Sequence, residues 1–188
     1  MAPPLDGTDE LATVLAAARS GDLAAFEILM RRHERLVLVT ALRLLGKMED
    51  AQDASQEVFL RLYRNLGKVQ ASQNMAGWLY RVTVNVCHDV RRRRPEETSV
   101  EDAAELVAMG DNPQQAATRK ERRRVLEMSL RLLSEKERAA LVLRDLEGLS
   151  TGEVAGILGT SQATVRSQIF KARIKMKDFV ERYFRRRT

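Results

Sequence analysis

Residues 134–161 constrain this chain more than any other stretch. Ser134-Glu135-Lys136-Glu137 and Ser150-Thr151-Gly152-Glu153 both fit the pattern S/T-x-x-E, the capping box in which a hydroxyl and a carboxylate satisfy backbone N–H groups left orphaned in the first turn of a helix. Each therefore starts a helix. The second helix carries Val154-Ala155-Gly156-Ile157-Leu158 and meets Gly159, after which Thr160-Ser161 opens another. A short helix, a glycine turn and a new helix make a helix-turn-helix.

Drawn at 100° per residue, the last helix brings Val165, Ile169, Ala172 and Met176 into one narrow arc, the stripe a core must take up. The opposite arc carries Ala163, Ser167, Phe170 and Ile174, flanked by Arg166, Lys171 and Lys177. An aromatic aimed away from the core among small, hydroxyl and cationic groups suits a duplex major groove. There cations meet guanine edges or phosphates, Ser serves either base type, and an apolar group touches a thymine methyl. A patch for a partner protein is the alternative.

The rest of the chain reads as helix on helix. Apolar residues make up 44%, charged residues 31% and aromatics only 5%, with ten Gly and four Pro in 188 residues, too few turn formers for a strand-rich fold. The periodicity predicts helices over residues 22–45, 50–66, 78–94 and about 118–133, the first capped by Ser20 or Asp22 and ended near Gly46. Phe59, Tyr63, Trp78 and Tyr80 cluster within residues 59–80, beside arginines and the polar loop 68–74. Aromatics beside cations suit unstacked bases; a plain core role for Phe59 and Trp78 is the stronger reading from these residues alone. The run Arg91 to Arg94 either complements the helix dipole or meets phosphate.

The net charge of +6 divides unevenly: +3 over residues 1–94, −6 over 95–118 and +9 over 119–188. The acidic strip also holds Pro95, Gly110 and Pro113, so it reads as a linker. The expected architecture is all-α. An N-terminal extension (1–22) precedes a three- to four-helix bundle (23–94), a flexible acidic linker (95–118) and a four-helix domain bearing the helix-turn-helix (119–188). Extended, the linker reaches ~80 Å, enough for two sites roughly 70 Å apart on duplex DNA.

Other classes lose ground. A single Cys87 with His33 and His88 cannot make an internal disulfide or a zinc site. His33-Glu34 lacks the second His of a metalloprotease helix, and the glycines form no nucleotide fingerprint. We expect no enzyme, no metal and no cofactor. The acidic N-terminus has no basic region of a signal peptide, and no stretch approaches the ~18 apolar residues of a membrane span. A cytoplasmic protein with no membrane insertion is expected. A stand-alone helix-turn-helix regulator would explain residues 119–188, and it leaves the polar face around Asp53 and Glu57 without a purpose.

The motifs together resemble one family. Asp50-Ala-Gln-Asp53-Ala-Ser-Gln56-Glu57-Val-Phe59-Leu-Arg-Leu-Tyr63-Arg64 and Trp78-Leu-Tyr80-Arg81-Val-Thr-Val-Asn85 are similar to region 2 of extracytoplasmic-function (group 4, sigma-70 family) sigma factors of RNA polymerase. Leu133-Ser134 through Asp145-Leu146-Glu147-Gly148-Leu149-Ser150, with Thr164-Val165-Arg166-Ser167-Gln168-Ile-Phe170-Lys171-Ala172-Arg173, resemble their region 4.

The resemblance implies transcription initiation: minus 35 duplex binding by region 4, and minus 10 recognition and strand opening by region 2. It implies three sets of site residues. Asp50, Asp53, Gln56, Glu57 and Arg61 would bind core RNA polymerase at the clamp helices of its largest subunit, with a second contact at the flap region. Lys68, Asn74, Trp78, Tyr80, Arg81, Asn85, Arg91 and Arg92 would serve the minus 10 element, the loop 65–76 taking a flipped base and Trp78 lying mainly in the core beneath it. Thr160, Ser161, Thr164, Arg166, Ser167, Phe170, Lys171 and Arg173 would serve the minus 35 element. It implies an acidic linker threaded through the polymerase's basic cleft. It also implies control by an anti-sigma factor able to hold the protein at the membrane and away from the nucleoid.

Overall fold

The computed structural model describes residues 7–68, 75–93 and 113–185. Within them the backbone forms eight α-helices and one π-helical turn, with no strand among the described residues.

The first helix, α1 (Gly7–Arg19), lies in what the sequence reading treats as an extension. Leu11, Val14, Leu15 and Ala18 recur at three- and four-residue steps, and Leu15 and Ala18 are buried against the helices that follow. That stripe is a helical signal, masked in the reading by the acidic and Pro-containing residues before it. Arg19 Nε also donates to the Leu66 carbonyl at 2.9 Å, tying α1 to the loop after the third helix.

Asp22 caps α2 (Leu23–Leu45), its Oδ1 accepting from the N–H groups of Ala24 and Ala25 at 2.8 and 3.1 Å. Gly46 ends α2 at φ +81°, a left-handed conformation that a side chain resists. The third helix, α3 (Met48–Asn65), starts two residues before the expected position, and α4 (Met75–Arg93) starts three before. Leu29, Val37, Ala41, Val58, Leu62, Leu79 and Val86 are buried where these helices meet.

The second set opens with α5 (Pro113–Arg131), which enters the stretch read as linker by six residues. A proline suits a first helical position because its missing N–H is one that the helix would leave unbonded. Both capping boxes are formed. Ser134 starts α6 (Glu135–Leu141) and Ser150 starts α7 (Thr151–Leu158), each with its carboxylate returning to the cap N–H at 2.9 and 2.8 Å. Gly159 turns the chain at φ +62° into α8 (Gln162–Arg185). Val165, Ile169 and Ala172 are buried as expected, with Met176 half-buried.

Between α6 and α7 the chain makes a π-helical turn, Val142–Leu146, closed by Glu147 N–H on the Val142 carbonyl at 2.9 Å. Periodicity gives no hint of it, because one inserted residue shifts the register without changing composition.

The two sets of helices pack on one another. Leu130, Leu133, Ala139, Leu141, Val142 and Ala172 share a buried cluster with α1 to α4, while Tyr80 of α4 joins a second cluster with Ala140, Leu143, Val154 and Ile169. Sequence patterning reads residues 23–94 and 119–188 as separate modules, and the apolar contact between the two sets of helices comes from the tertiary structure.

Candidate nucleic-acid interface

On α8 the groups predicted for a major groove stand clear of the core. Phe170 is 66% exposed, and Arg166, Ser167 and Lys171 are exposed around it. At the helix start, Ser161 Oγ accepts from Thr164 N–H at 3.1 Å and lies 2.9 Å from the Thr164 hydroxyl, with Thr160 exposed alongside. Arg173 differs from its neighbours. Its guanidinium makes a two-pronged pair with Asp145 of the π-helical turn, at 2.9 and 2.8 Å, and this pairing raises the arginine's pKa. The π turn thus places a carboxylate against the recognition helix.

The polar face of α3 carries Asp50, Asp53, Gln56, Glu57 and Arg61 together, away from the second set of helices. It is a mixed ionic surface. Glu57 binds Arg61 at 2.7 Å, Arg61 reaches Asp89 of α4 at 3.6 Å, and Arg92 flanks Asp89 at 3.7 Å. Nearby, the exposed Tyr63 meets Phe26 edge to face at 5.1 Å, so this aromatic packs across α2 and α3.

The residues predicted for an opened strand divide four ways. Asn85 and Arg92 are exposed on α4, and Lys68 is exposed just after α3. Asn74 lies outside the described residues. Phe59 is buried and Trp78 half-buried against the core, in keeping with their core reading. Three others turn toward the helix-turn-helix module. Tyr80 is buried, its hydroxyl donating to Glu147 Oε2 at 3.1 Å. Arg81 donates to the Gly156 carbonyl of α7 at 2.6 Å. Arg91 lies 4.0 Å from Glu135, whose other oxygen meets His88 at 2.9 Å.

Glu147 is the organising group here, and residue patterning does not single it out. Its carboxylate, 11% exposed, accepts from Arg43 at 2.6 Å, from the Thr40 hydroxyl at 3.1 Å and from Tyr80. Burial comes first in raising the Tyr80 pKa, and the adjacent carboxylate adds to it by disfavouring a second negative charge. Arg138 is the second such group. It is 2% exposed, and its guanidinium donates to the carbonyls of Leu130 at 2.7 Å, Leu133 at 3.3 Å and, across the module boundary, Leu44 at 2.8 Å. One side chain thus satisfies the ends of α5 and α2.

The fold and this surface define a two-module, all-helical DNA-binding protein with a helix-turn-helix. Residues 29–96 match sigma-70 region 2 and residues 123–176 match sigma-70 region 4. The chain is 34% identical over 185 residues to the ECF RNA polymerase sigma factor SigE of Mycolicibacterium smegmatis, covering 95% of this chain and 72% of that one. It is 31% identical over 189 residues to the ECF RNA polymerase sigma-E factor of Escherichia coli, covering 95% and 97%. The chain belongs to the ECF sigma factors of the sigma-70 family. Among solved structures it is similar to CnrH in complex with the cytosolic domain of CnrY, with a TM-score of 0.66, 26% identity and coverage of 90% and 96%. It shares its fold with the sigma factor RpoE of Bartonella quintana, solved with the anti-sigma factor NepR, with a TM-score of 0.63, 22% identity and coverage of 83% and 96%. As an ECF sigma factor it is a DNA-binding transcription initiation factor that directs RNA polymerase to promoters.

Proposed function

We propose that the two modules divide promoter recognition between them. Residues 23–94 dock on core polymerase through the α3 face and read the opened minus 10 element through α4 and the loop before it; residues 119–188 read the minus 35 element as duplex. The exposed Phe170 among Arg166, Ser167 and Lys171 carries this reading, because an uncovered aromatic ringed by cations on a recognition helix has a natural partner in a base-lined groove. Asn85, exposed on α4, is the strand contact. The chain contributes binding and strand opening, with the chemistry of synthesis left to the polymerase. A protein partner that covers these faces would control it, as the cytosolic domain of CnrY assembles with CnrH, and would hold it at the membrane. Without that partner the chain works in the cytoplasm, on the nucleoid. No helix among the described residues is long and apolar enough to cross a membrane.

The test separates the modules. Genomic fragments selected with the reconstituted holoenzyme supply the promoter. Phe170→Ala with Lys171→Ala is expected to weaken promoter recruitment about tenfold or more, while Asn85→Ala leaves recruitment intact and slows strand opening seen by permanganate reactivity. Equal loss of both activities in both variants would contradict the division. A chain that binds duplex tightly alone and never joins the core enzyme would favour the stand-alone regulator.

A further inference from the structure

A groove of about 360 Å³ lies where α4 meets α6, α7 and α8. Leu44, Val84, Cys87, Ala139, Leu158 and Val165 give it an apolar lining. The buried Cys87, Ala139 and Val165 form its depth, while the exposed His88, Glu135 and Lys136 form its mouth. Charge there is uneven. Arg91, Lys136 and Arg138 line the groove against a single carboxylate, Glu135, which meets His88 at 2.9 Å and lies 4.0 Å from Arg91. Lys136 makes no ion pair among the described residues. An apolar slot that ends at an unpaired ammonium suits a molecule with an alkyl body and one negative end.

We propose that this groove binds a medium-chain fatty acid, its tail lying along Val84, Cys87 and Val165 and its carboxylate meeting Lys136 and Arg91. Size sets the chain length. At roughly 30 Å³ for each water-sized group, the groove takes about twelve heavy atoms, as many as decanoate has. Its volume falls at the lower end of the ~300–1,000 Å³ of small-molecule sites. The excess of cations selects the anion: a cationic head is repelled, and a neutral one leaves Lys136 unpaired. The lining comes from α2, α4, α6, α7 and α8, so an occupant touches both sets of helices and stabilises the folded chain by mass action.

The test uses the full chain with decanoate held below its micelle concentration. At about ten times its dissociation constant, decanoate is expected to raise the melting temperature by about 3–5 °C and to slow iodoacetamide modification of Cys87 about tenfold, because only the empty chain exposes the thiol. Octanoate is expected to bind more than tenfold more weakly, since each buried methylene is worth about fourfold in affinity. Lys136→Gln, an exposed change, is expected to weaken decanoate several-fold, and Val84→Phe, which fills the groove, to abolish Cys87 protection. Neither residue belongs to the polymerase or promoter sets. The site is overturned if decanoate leaves the Cys87 rate unchanged, if octanoate or decan-1-ol protects as well as decanoate, or if Lys136→Gln is protected as well as its parent. A Val84→Phe chain that melts cooperatively and is still protected by decanoate would overturn it as well.

Discussion

Arg138 shows what one buried side chain can hold. A guanidinium out of water is costly unless its donors find acceptors, and here they meet the Leu44 carbonyl at the end of α2 and the Leu130 and Leu133 carbonyls where α5 gives way to α6, the Leu130 carbonyl also accepting from Leu133 N–H. Arg138→Met keeps volume and loses those bonds, so we expect a loss of about 2 kcal/mol in urea unfolding, since the Leu44 and Leu133 carbonyls are stranded at ~1 kcal/mol or more each while Leu130 keeps its backbone donor. Glu137 acts on the same helix. Burial would raise its pKa, but the Lys175 ammonium 2.7 Å away, with the Ser134 N–H and hydroxyl, brings it below the ordinary 4.5. A carboxylate depressed in the folded state stabilises the fold at pH above 4.5, and that share is lost as pH falls through the lower folded value. Unfolding titrations should therefore show Glu137→Gln costing most at neutral pH and progressively less in acid.

The helix-turn-helix depends on how α7 ends and α8 begins. Gly159 has φ +62° with nothing within 4 Å of an added Cβ, so Gly159→Ala carries a backbone cost alone. About 1 kcal/mol is expected from thermal melts, with the recognition face of α8 unchanged in a low-temperature duplex-binding assay. The π turn between α6 and α7 does positional work of a different kind. It places Asp145 on Arg173 of α8 and lets Glu147 face α2 and α4. Arg173 is therefore the weakest of the predicted minus 35 contacts in the free chain, since reaching DNA means leaving a two-pronged carboxylate. Asp145→Asn should free it and increase duplex affinity, with a steeper salt dependence because one more cation reaches phosphate.

For the molecule as a whole, the apolar clusters shared by α1 to α4 and α5 to α8 couple the modules. Cys87 reports on that coupling, because it lies in a groove of about 360 Å³ between α4 and the helices α6 to α8. Burial pushes its thiol up to about 12 from an ordinary 9.0, so thiolate at pH 8 is scarce and alkylation waits on opening. Iodoacetamide should modify the native chain more than a hundredfold more slowly than the chain in denaturant, and core polymerase should raise the native rate. A native rate near the denatured one would mean that the groove is open in solution.

Local chemistry explains which parts of this protein were legible beforehand. Capping boxes, the Asp22 cap, glycine C-caps and the Val165-Ile169-Ala172 stripe act within one or two turns of the chain, and each appears where spacing puts it. The α8 face was legible for the same reason, since a helix displays its residues in a fixed angular order. Amphipathic α1 was missed through its atypical first residues. The π turn was invisible because inserting one residue leaves composition and nearly all periodicity intact. The partners of Glu147, Arg138 and Arg81 lie 67 to 107 residues away for Glu147, 94 for the Arg138 bond to Leu44 and 75 for Arg81. No local rule pairs groups at such separations. Short-range hydrogen bonding and periodic hydrophobicity therefore determine the helices and their outward faces, whereas the burial of Tyr80 and the contacts of α4 with the second set of helices arise only when two apolar surfaces meet in space.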